Sequence, residues 1–391
     1  MRSKLAFVVQ RYGADITGGS ETLARAVAER LATQMPITVL TTCARDYVTW
    51  RNELPAGSSL LNGVEVVRFP VEEERDLEAF NRLSEPLYVR PHSEADELAW
   101  LRRQGPYAPR LVDALEKRKD EWGAIVFFTY LYHPTYCGLL AAPERSLLVP
   151  TAHDEPPLRF KIYDALFGAA RAFAFCSGPE MELVRTRFGL GARPAAVAGI
   201  GVDVDDAHDV DGFRIRHDVS GPYVLYAGRI DAGKGCRDMV ALYDRYRRDH
   251  AGAAELLLVG RLAMEVPRVP GVRYLGYLSE AEKRAALAGA RAVICPSPFE
   301  SLSIVLLEAM AVGTPALANA RSPVLKDHCL RSQGGLYYAS ADEFGEALDL
   351  LVREPRLRGA LGENGRRYVR ENYRWEAVLA RYRALIEATA G

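Results

Sequence analysis

Short apolar runs rich in β-branched residues alternate with longer stretches of helical periodicity along almost the whole chain. Leu5–Val9, Ile37–Thr42, Val64–Phe69, Ala124–Thr129, Leu147–Pro150 and Ala172–Cys176 read as strands, and Ser20–Gln34, Glu94–Arg103 and Pro109–Glu121 as helices between them. Near-continuous apolarity in short strands separated by helices predicts parallel sheets covered on both faces. The pattern then restarts. An acidic, strand-poor stretch from Gly199 to Pro222 carries Asp203, Asp205, Asp206, Asp209 and Asp211, and beyond it Tyr223–Gly228, Glu255–Gly260, Arg273–Leu278, Ala292–Pro296, Pro315–Ala318 and Gly335–Tyr338 form a second strand series. Two βαβ series joined by one connector predict an α/β chain of two doubly wound, Rossmann-like domains, residues 1–205 and 206–373, facing a cleft. Ligands of such sheets bind outside the carboxyl ends of the strands, which sets where chemistry should be sought.

Composition narrows the function classes. Lys and Arg total 50 against 51 Asp and Glu, a formal net charge of −1, whereas a chain that neutralises nucleic-acid phosphates should be markedly basic. Nucleic acid is therefore not an expected partner. The six cysteines form no CxxC pair or metal-finger spacing and read as buried thiols of a reducing compartment. The first apolar run is too short for a secretory signal, and no later run approaches the ~20 apolar residues of a spanning helix. A cytoplasmic location is expected. The basic stretch of Arg102, Arg103, Arg110, Lys117, Arg118 and Lys119, with Trp100 and Tyr107, suits either peripheral contact with an anionic inner-membrane face or a solvated helical face, and Glu116, Asp120 and Glu121 dilute it.

The most informative segment runs from Pro298 through Phe299-Glu300-Ser301-Leu302-Ser303 into an apolar helix that carries one charge, Glu308, and ends at Gly313-Thr314-Pro315. A helix apolar nearly all round is buried. Ser301 or Ser303 is placed to cap it, leaving free N–H groups as an anion site. A buried carboxylate needs a partner. For Glu308 this is either an arginine such as Arg321 or a pair of ligand hydroxyls such as those of a ribose. A second segment, Tyr226-Ala227-Gly228-Arg229 followed by Lys234-Gly235, closes the first strand of the second domain and offers a planar guanidinium and a mobile ammonium for phosphate oxygens.

Glu300 and Glu308 with the Ala-Met-Ala-x-Gly-Thr-Pro run, together with Gly228-Arg229 and Lys234-Gly235, resemble the signature of the retaining nucleotide-sugar glycosyltransferases of family 4, which have the GT-B fold. The resemblance extends to Gly18-Gly19 after the first strand, to His153, and to a Trp375-centred helix in 374–391 that in the family crosses back onto the first domain. It implies an acceptor-side first domain and a donor-binding second one. By the same resemblance Arg229 and Lys234 hold the donor diphosphate, Glu300 the sugar hydroxyls, Glu308 the ribose, and His153 lies near the anomeric carbon. His153, Arg229, Lys234 and Glu300 are thus the implied catalytic residues, and Gly19, Gly228, Ser301, Leu302, Ser303 and Glu308 the implied donor-binding ones. The implied activity is transfer of a sugar from a UDP or GDP sugar to a hydroxyl of a glycan, a lipid-linked or a small-molecule acceptor, with retention and with no metal or other cofactor. A nucleotide-sugar epimerase or hydrolase of the same fold, and a sugar-nucleotide-binding module without catalysis, are the rival readings. Between Asn319 and Cys329 the chain departs from the family pattern, so the donor sugar does not carry over.

Three look-alikes weigh less. Gly228-x4-Gly233-Lys234 imitates a P-loop, but Gly235 stands where Ser or Thr should ligate magnesium. Asp203-Val204-Asp205 imitates a metal-binding DxD but falls in the acidic connector and reads as solvated surface. His153-Asp154-Glu155 offers metal-ligating side chains, yet adjacent residues rarely converge on one ion. No metal ligands are therefore assigned. Gly18-Gly19 lacks dinucleotide-binding spacing; two glycines there permit close approach of a helix N-terminus to a ligand, or form a tight turn capped by Ser20.

Overall fold

The computed structural model describes residues 4–16, 18–204, 208–250, 252 and 254–390. The chain divides into two compact units, Met1–Ile200 with Leu379–Gly391, and Gly201–Val378. The sequence places these crossings at 205 and 373.

Unit 1 contains β1 (Leu5–Val8), β2 (Ile37–Thr42), β3 (Gly57–Leu61), β4 (Val64–Phe69), β5 (Ala124–Phe128), β6 (Ser146–Val149), β7 (Ala172–Phe175) and β8 (Ala195–Val197). They form one eight-stranded sheet in the order β3-β4-β2-β1-β5-β6-β7-β8. The central strands β1, β2, β5, β6 and β7 are buried at every position, as their unbroken apolar runs require of a sheet covered on both faces. The sheet is not wholly parallel. β3 pairs antiparallel with β4, Leu61 opposite Val64. Asn62 and Gly63 form the two-residue turn between them, both at positive φ (49° and 82°), the backbone a tight hairpin demands. The long helix Trp375–Ala390 buries Val378, Leu379, Tyr382, Leu385 and Ile386. It begins at Trp375 rather than being centred on it. From Leu379 onward it belongs to unit 1, where Tyr382 Oη donates to the Gly199 carbonyl at 3.4 Å.

Unit 2 contains β9 (Tyr223–Ala227), β10 (Glu255–Val259), β11 (Val272–Tyr274), β12 (Val293–Cys295), β13 (Ala316–Asn319) and β14 (Gly335–Tyr338), all parallel, in the order β11-β10-β9-β12-β13-β14. The strand order reverses between β9 and β12. In doubly wound sheets the crevice at that reversal is the ligand site, so the loops after β9 and β12 hold the positions of interest. The acidic connector is not without structure: it contains the helix Val210–Arg216, whose first turn is capped by Asp209 accepting from Gly212 N at 2.9 Å. Asp205 and Asp206 lie outside the described residues.

Where unit 2 begins and ends, its two terminal segments are tied together. Val202 N donates to the Tyr373 carbonyl at 2.8 Å. A Cβ on Gly201 would stand 2.2 Å from Cδ2 of Trp375, so only glycine fits under that ring.

Candidate active site

Glycines let the loop after β9 pack closely on the loops after β12 and β10. Gly235 has φ 74°, and a Cβ there would lie 2.5 Å from the Pro296 carbonyl oxygen. Gly260, after β10, sits against the Gly228 carbonyl, where a Cβ would come within 1.9 Å. This packing sets Gly228–Lys234 beside Pro296–Ser303. Asp231 organises the first loop by accepting from Lys234 N at 2.8 Å and pairing with the Arg229 guanidinium. Lys234 Nζ bonds Glu300 Oε1 at 2.7 Å, with side-chain exposures of 36% and 16%. Two residues expected to hold different parts of a ligand therefore hold each other.

The helix Ile304–Ala311 begins at the end of that loop and is largely buried, as its apolarity predicts. Its cap differs from expectation. Ser303 occupies the N-cap position with φ 65° and ψ 77°, and its side chain makes no capping bond. Left-handed backbone is uncommon outside glycine, asparagine and aspartate and concentrates where a site holds it in place. The N–H groups of the first turn are thus left without a side-chain cap.

Glu308 does not pair with Arg321. Its partner is Lys283, whose Nζ lies 2.9 Å from Oε1, both side chains being 18% exposed. Oε2 is buried and, among the described residues, has no hydrogen-bond partner. Burial pushes the Glu308 carboxyl up, and Lys283 pulls it back. Lys283, despite its own burial, is held above the ordinary lysine range by Glu308 and by Glu280, 2.9 Å away. Lys283 lies on the helix Glu280–Gly289, and no feature of the sequence singled it out; only the fold brings it to Glu308.

The sequence also passed over His328. This buried side chain lies with Nε2 3.0 Å from the Leu302 carbonyl oxygen and Nδ1 3.1 Å from Tyr368 Oη. It thereby fixes the loop that carries Glu300, Ser301, Leu302 and Ser303. The segment 319–329, noted as a departure from the family pattern, is thus built into this loop.

Unit 1 carries the other implied residues. His153 follows β6, with Nε2 3.4 Å from Glu155 Oε2, while Glu155 Oε1 accepts from Tyr130 Oη at 2.8 Å. Asp154 instead pairs with Arg159 at 3.1 Å, so it turns away from the His153–Glu155 pair. Among the described residues no group of three His, Cys, Asp or Glu side chains is placed to hold a metal ion. Thr129 and Thr151, at the ends of β5 and β6, both have positive φ (65° and 52°), and their hydroxyls bond at 3.0 Å. Two β-branched residues in this conformation mark a held backbone beside His153. Glu180, another residue not anticipated, bonds the backbone N–H of Ala152 at 2.7 Å and of Cys176 at 2.6 Å. Its burial raises the carboxyl to about 8.

At the end of β1, Gly18 rather than Ser20 is the N-cap of the helix Gly19–Ala32. Ser20 Oγ instead accepts from Gln10 and donates to Glu21. Gly18 is needed because a Cβ would collide with the Glu21 carboxylate, which is ion-paired to Arg11, whereas the space beside Gly19 is open. The basic stretch is largely committed to local partners. Arg102 pairs with Glu73, Arg110 with Glu72, Arg118 with Glu121, and Lys119 bonds the Ala141 carbonyl. Trp100 is buried. These four side chains are ion-paired or hydrogen-bonded within the helical face. Asp203 is likewise not simply solvated; it pairs with Arg284 at 3.1 Å. Its look-alike partner Asp205 is outside the described residues. No helix is long and apolar enough to cross a membrane among the described residues.

The family model for glycosyl transferases group 1 matches residues 210–368. A glycogen synthase of Mycobacterium tuberculosis H37Rv is 27% identical over 215 residues, which are 52% of this chain and 50% of that protein. The chain spans about half the length of the first curated relatives it matches. Among solved structures, the sucrose-phosphate synthase of Thermosynechococcus elongatus superposes with a TM-score of 0.74 at 20% identity, covering 99% of this chain and 100% of that one. The Anabaena protein Alr3699/HepE, solved in complex with UDP and glucose, gives a TM-score of 0.69 at 14% identity, covering 99% and 100%. The whole chain therefore has the GT-B fold of two Rossmann-like domains, and Gly228, Arg229, Lys234, Glu300 and Glu308 all lie inside the segment that matches glycosyl transferases group 1.

Proposed function

We propose that this chain is a glycosyltransferase that moves a sugar from a UDP or GDP sugar to a hydroxyl acceptor (a glycan, a lipid-linked or a small-molecule acceptor) with retention at the anomeric carbon. The observation that carries the reading is Glu308: a largely buried carboxylate with one oxygen held by Lys283 and the other, among the described residues, without a hydrogen-bond partner, on a helix whose start has no side-chain cap. A pair of ribose hydroxyls satisfies that free oxygen, and charge-assisted bonds of this kind are among the stronger ones.

The neighbouring groups suit the rest of such a donor. As the bond to the anomeric carbon breaks, the diphosphate keeps the electron pair and gains one negative charge beyond those it carried in the donor, which Arg229, Lys234 and the helix N–H groups meet in a preorganised way. Lys234 turns from Glu300 to phosphate, which frees Glu300 for the sugar hydroxyls. A phosphate oxygen of the donor then takes the acceptor proton on the face the diphosphate leaves, so the sugar keeps its configuration. His153 is assigned to the sugar side of the donor, where exclusion of water limits hydrolysis. No metal is assigned to the reaction. The test is product analysis by NMR with UDP and GDP sugars and a panel of hydroxyl acceptors. Acceptor-dependent release of nucleotide with the donor's anomeric configuration preserved supports the proposal. Release of free sugar, or an epimerised donor, with no dependence on acceptor would replace transfer by hydrolysis or epimerisation.

A further inference from the structure

Outside the proposed donor contacts, unit 2 buries a chain of polar side chains whose hydrogen-bond directions are fully determined. The Leu302 carbonyl can only accept, so His328 Nε2, 3.0 Å away, carries the ring proton and donates. His328 Nδ1 then has only a lone pair and accepts from Tyr368 Oη at 3.1 Å. With that proton committed, the contact of 3.3 Å between the two tyrosine oxygens is made by Tyr373 Oη donating to Tyr368. The three rings also pack on one another, with centroids 5.4–6.0 Å apart. Burial lowers the His328 pKa to about 4, which keeps the imidazole neutral and the polarity of the chain fixed.

The two ends of this chain are unlike. One is the loop carrying Glu300 and the left-handed Ser303. The other is Tyr373, whose carbonyl accepts from Val202 N and so joins the segment that begins unit 2 to the segment that ends it. A second route runs in parallel on the helix Glu280–Gly289: Lys283 holds Glu308, and the next residue, Arg284, holds Asp203 of the same beginning segment. We infer that His328, Tyr368 and Tyr373 are positioning residues that tie the Glu300–Ser303 loop to the paired Val202 and Tyr373 backbone, so that the loop and the segments leading out of unit 2 rearrange together.

The consequence for a sugar nucleotide rests on the function proposed above, but the tie itself is tested without any ligand. Hydrogen exchange of the unliganded full chain is compared with that of Tyr373→Phe and Tyr368→Phe, each of which removes one hydroxyl and keeps the ring packing. Exchange across residues 299–307 should rise about three- to tenfold in Tyr373→Phe, the effect of losing one hydrogen bond, with β9 unchanged. The milder variant His328→Gln, which keeps an N–H able to reach Leu302, should retain more protection of that loop than His328→Ala. Acceleration confined to residues 368–378, or spread evenly over unit 2, would overturn the tie. Failure of UDP and GDP to bind the wild-type chain would count against the donor reading and leave this result standing.

Discussion

Replacing Lys283 by methionine keeps the length of the side chain and removes its charge. Lys283 Nζ stands 2.9 Å from Glu308 and 2.9 Å from Glu280, so the substitution leaves two carboxylates facing one another, one of them buried. Removing one member of a fully buried ion pair costs about 3–5 kcal/mol, and with both Lys283 and Glu308 18% exposed a smaller loss, roughly 2–3 kcal/mol near neutral pH, is expected. The loss should depend on pH in a defined direction. Glu308 already has its carboxyl raised by burial, and losing Lys283 raises it further. A carboxylate whose folded pKa lies above its unfolded value destabilises the fold as pH rises through the folded pKa, so the penalty grows from pH 5 to pH 8. Nucleotide binding should move the other way, because ribose hydroxyls need the ionised carboxylate; UDP or GDP affinity of Lys283→Met should improve as pH rises. Urea unfolding and calorimetry of the variant at pH 5, 6.5 and 8 measure both. An equal loss of stability at the three pH values, or affinity that does not change with pH, would refute the coupling of Lys283 to Glu308.

Arg229→Ala and Lys234→Ala should each lower kcat by about 10²–10³, since each removes stabilisation of the departing diphosphate, with little change in melting temperature; steady-state kinetics beside a melting curve checks this. Turnover in excess EDTA should match that in its absence, and loss of activity restored by magnesium or manganese would place a metal in the mechanism. Stability should fall on acidification between pH 6.5 and 4, because His328 and His133 are both lowered by burial to about 4 and the unfolded chain takes up protons first. Arg331 adds to the lowering at His328; at His133 Arg102 adds to it and Glu73 opposes it. Each histidine contributes roughly 3 kcal/mol over that window, opposed by Glu180, whose raised carboxyl takes up its proton earlier in the folded chain than in the unfolded one, so a His328→Gln variant should lose roughly 3 kcal/mol less than the wild type over that window in urea unfolding.

The doubly wound architecture was legible because its strands are short, apolar and buried on both faces, so periodicity alone separated them from the helices. The antiparallel edge was legible and passed over. Gly57–Leu61 is exposed along most of its length and lacks the apolar run of its neighbours, but Asn62-Gly63 is a strong hairpin signal. The same holds for Asp231, two positions from Arg229 and three from Lys234, which organises the turn it sits in. Lys283 and His328 were different. Their partners, Glu308 and the Leu302 carbonyl, lie 25 and 26 residues away along the chain, and only the packing of successive βα units in the sheet brings them together. The Ser303 cap failed for a related reason: a serine before an apolar helix predicts a capping bond, but the tie from His328 to Leu302 accompanies a left-handed backbone in which that bond is not made.

The claim that Glu308 receives a nucleoside ribose is tested most directly by calorimetric titration of UDP and GDP against the wild-type chain and against Glu308→Gln. One of the two nucleotides should bind the wild type. The variant, shown by its melting curve to be folded at the temperature of the titration, should bind the same nucleotide about tenfold or more weakly, because a neutral amide replaces a carboxylate in bonds worth about 1.5–3 kcal/mol. Equal affinity in the two proteins would make Glu308 a structural partner of Lys283 and nothing more.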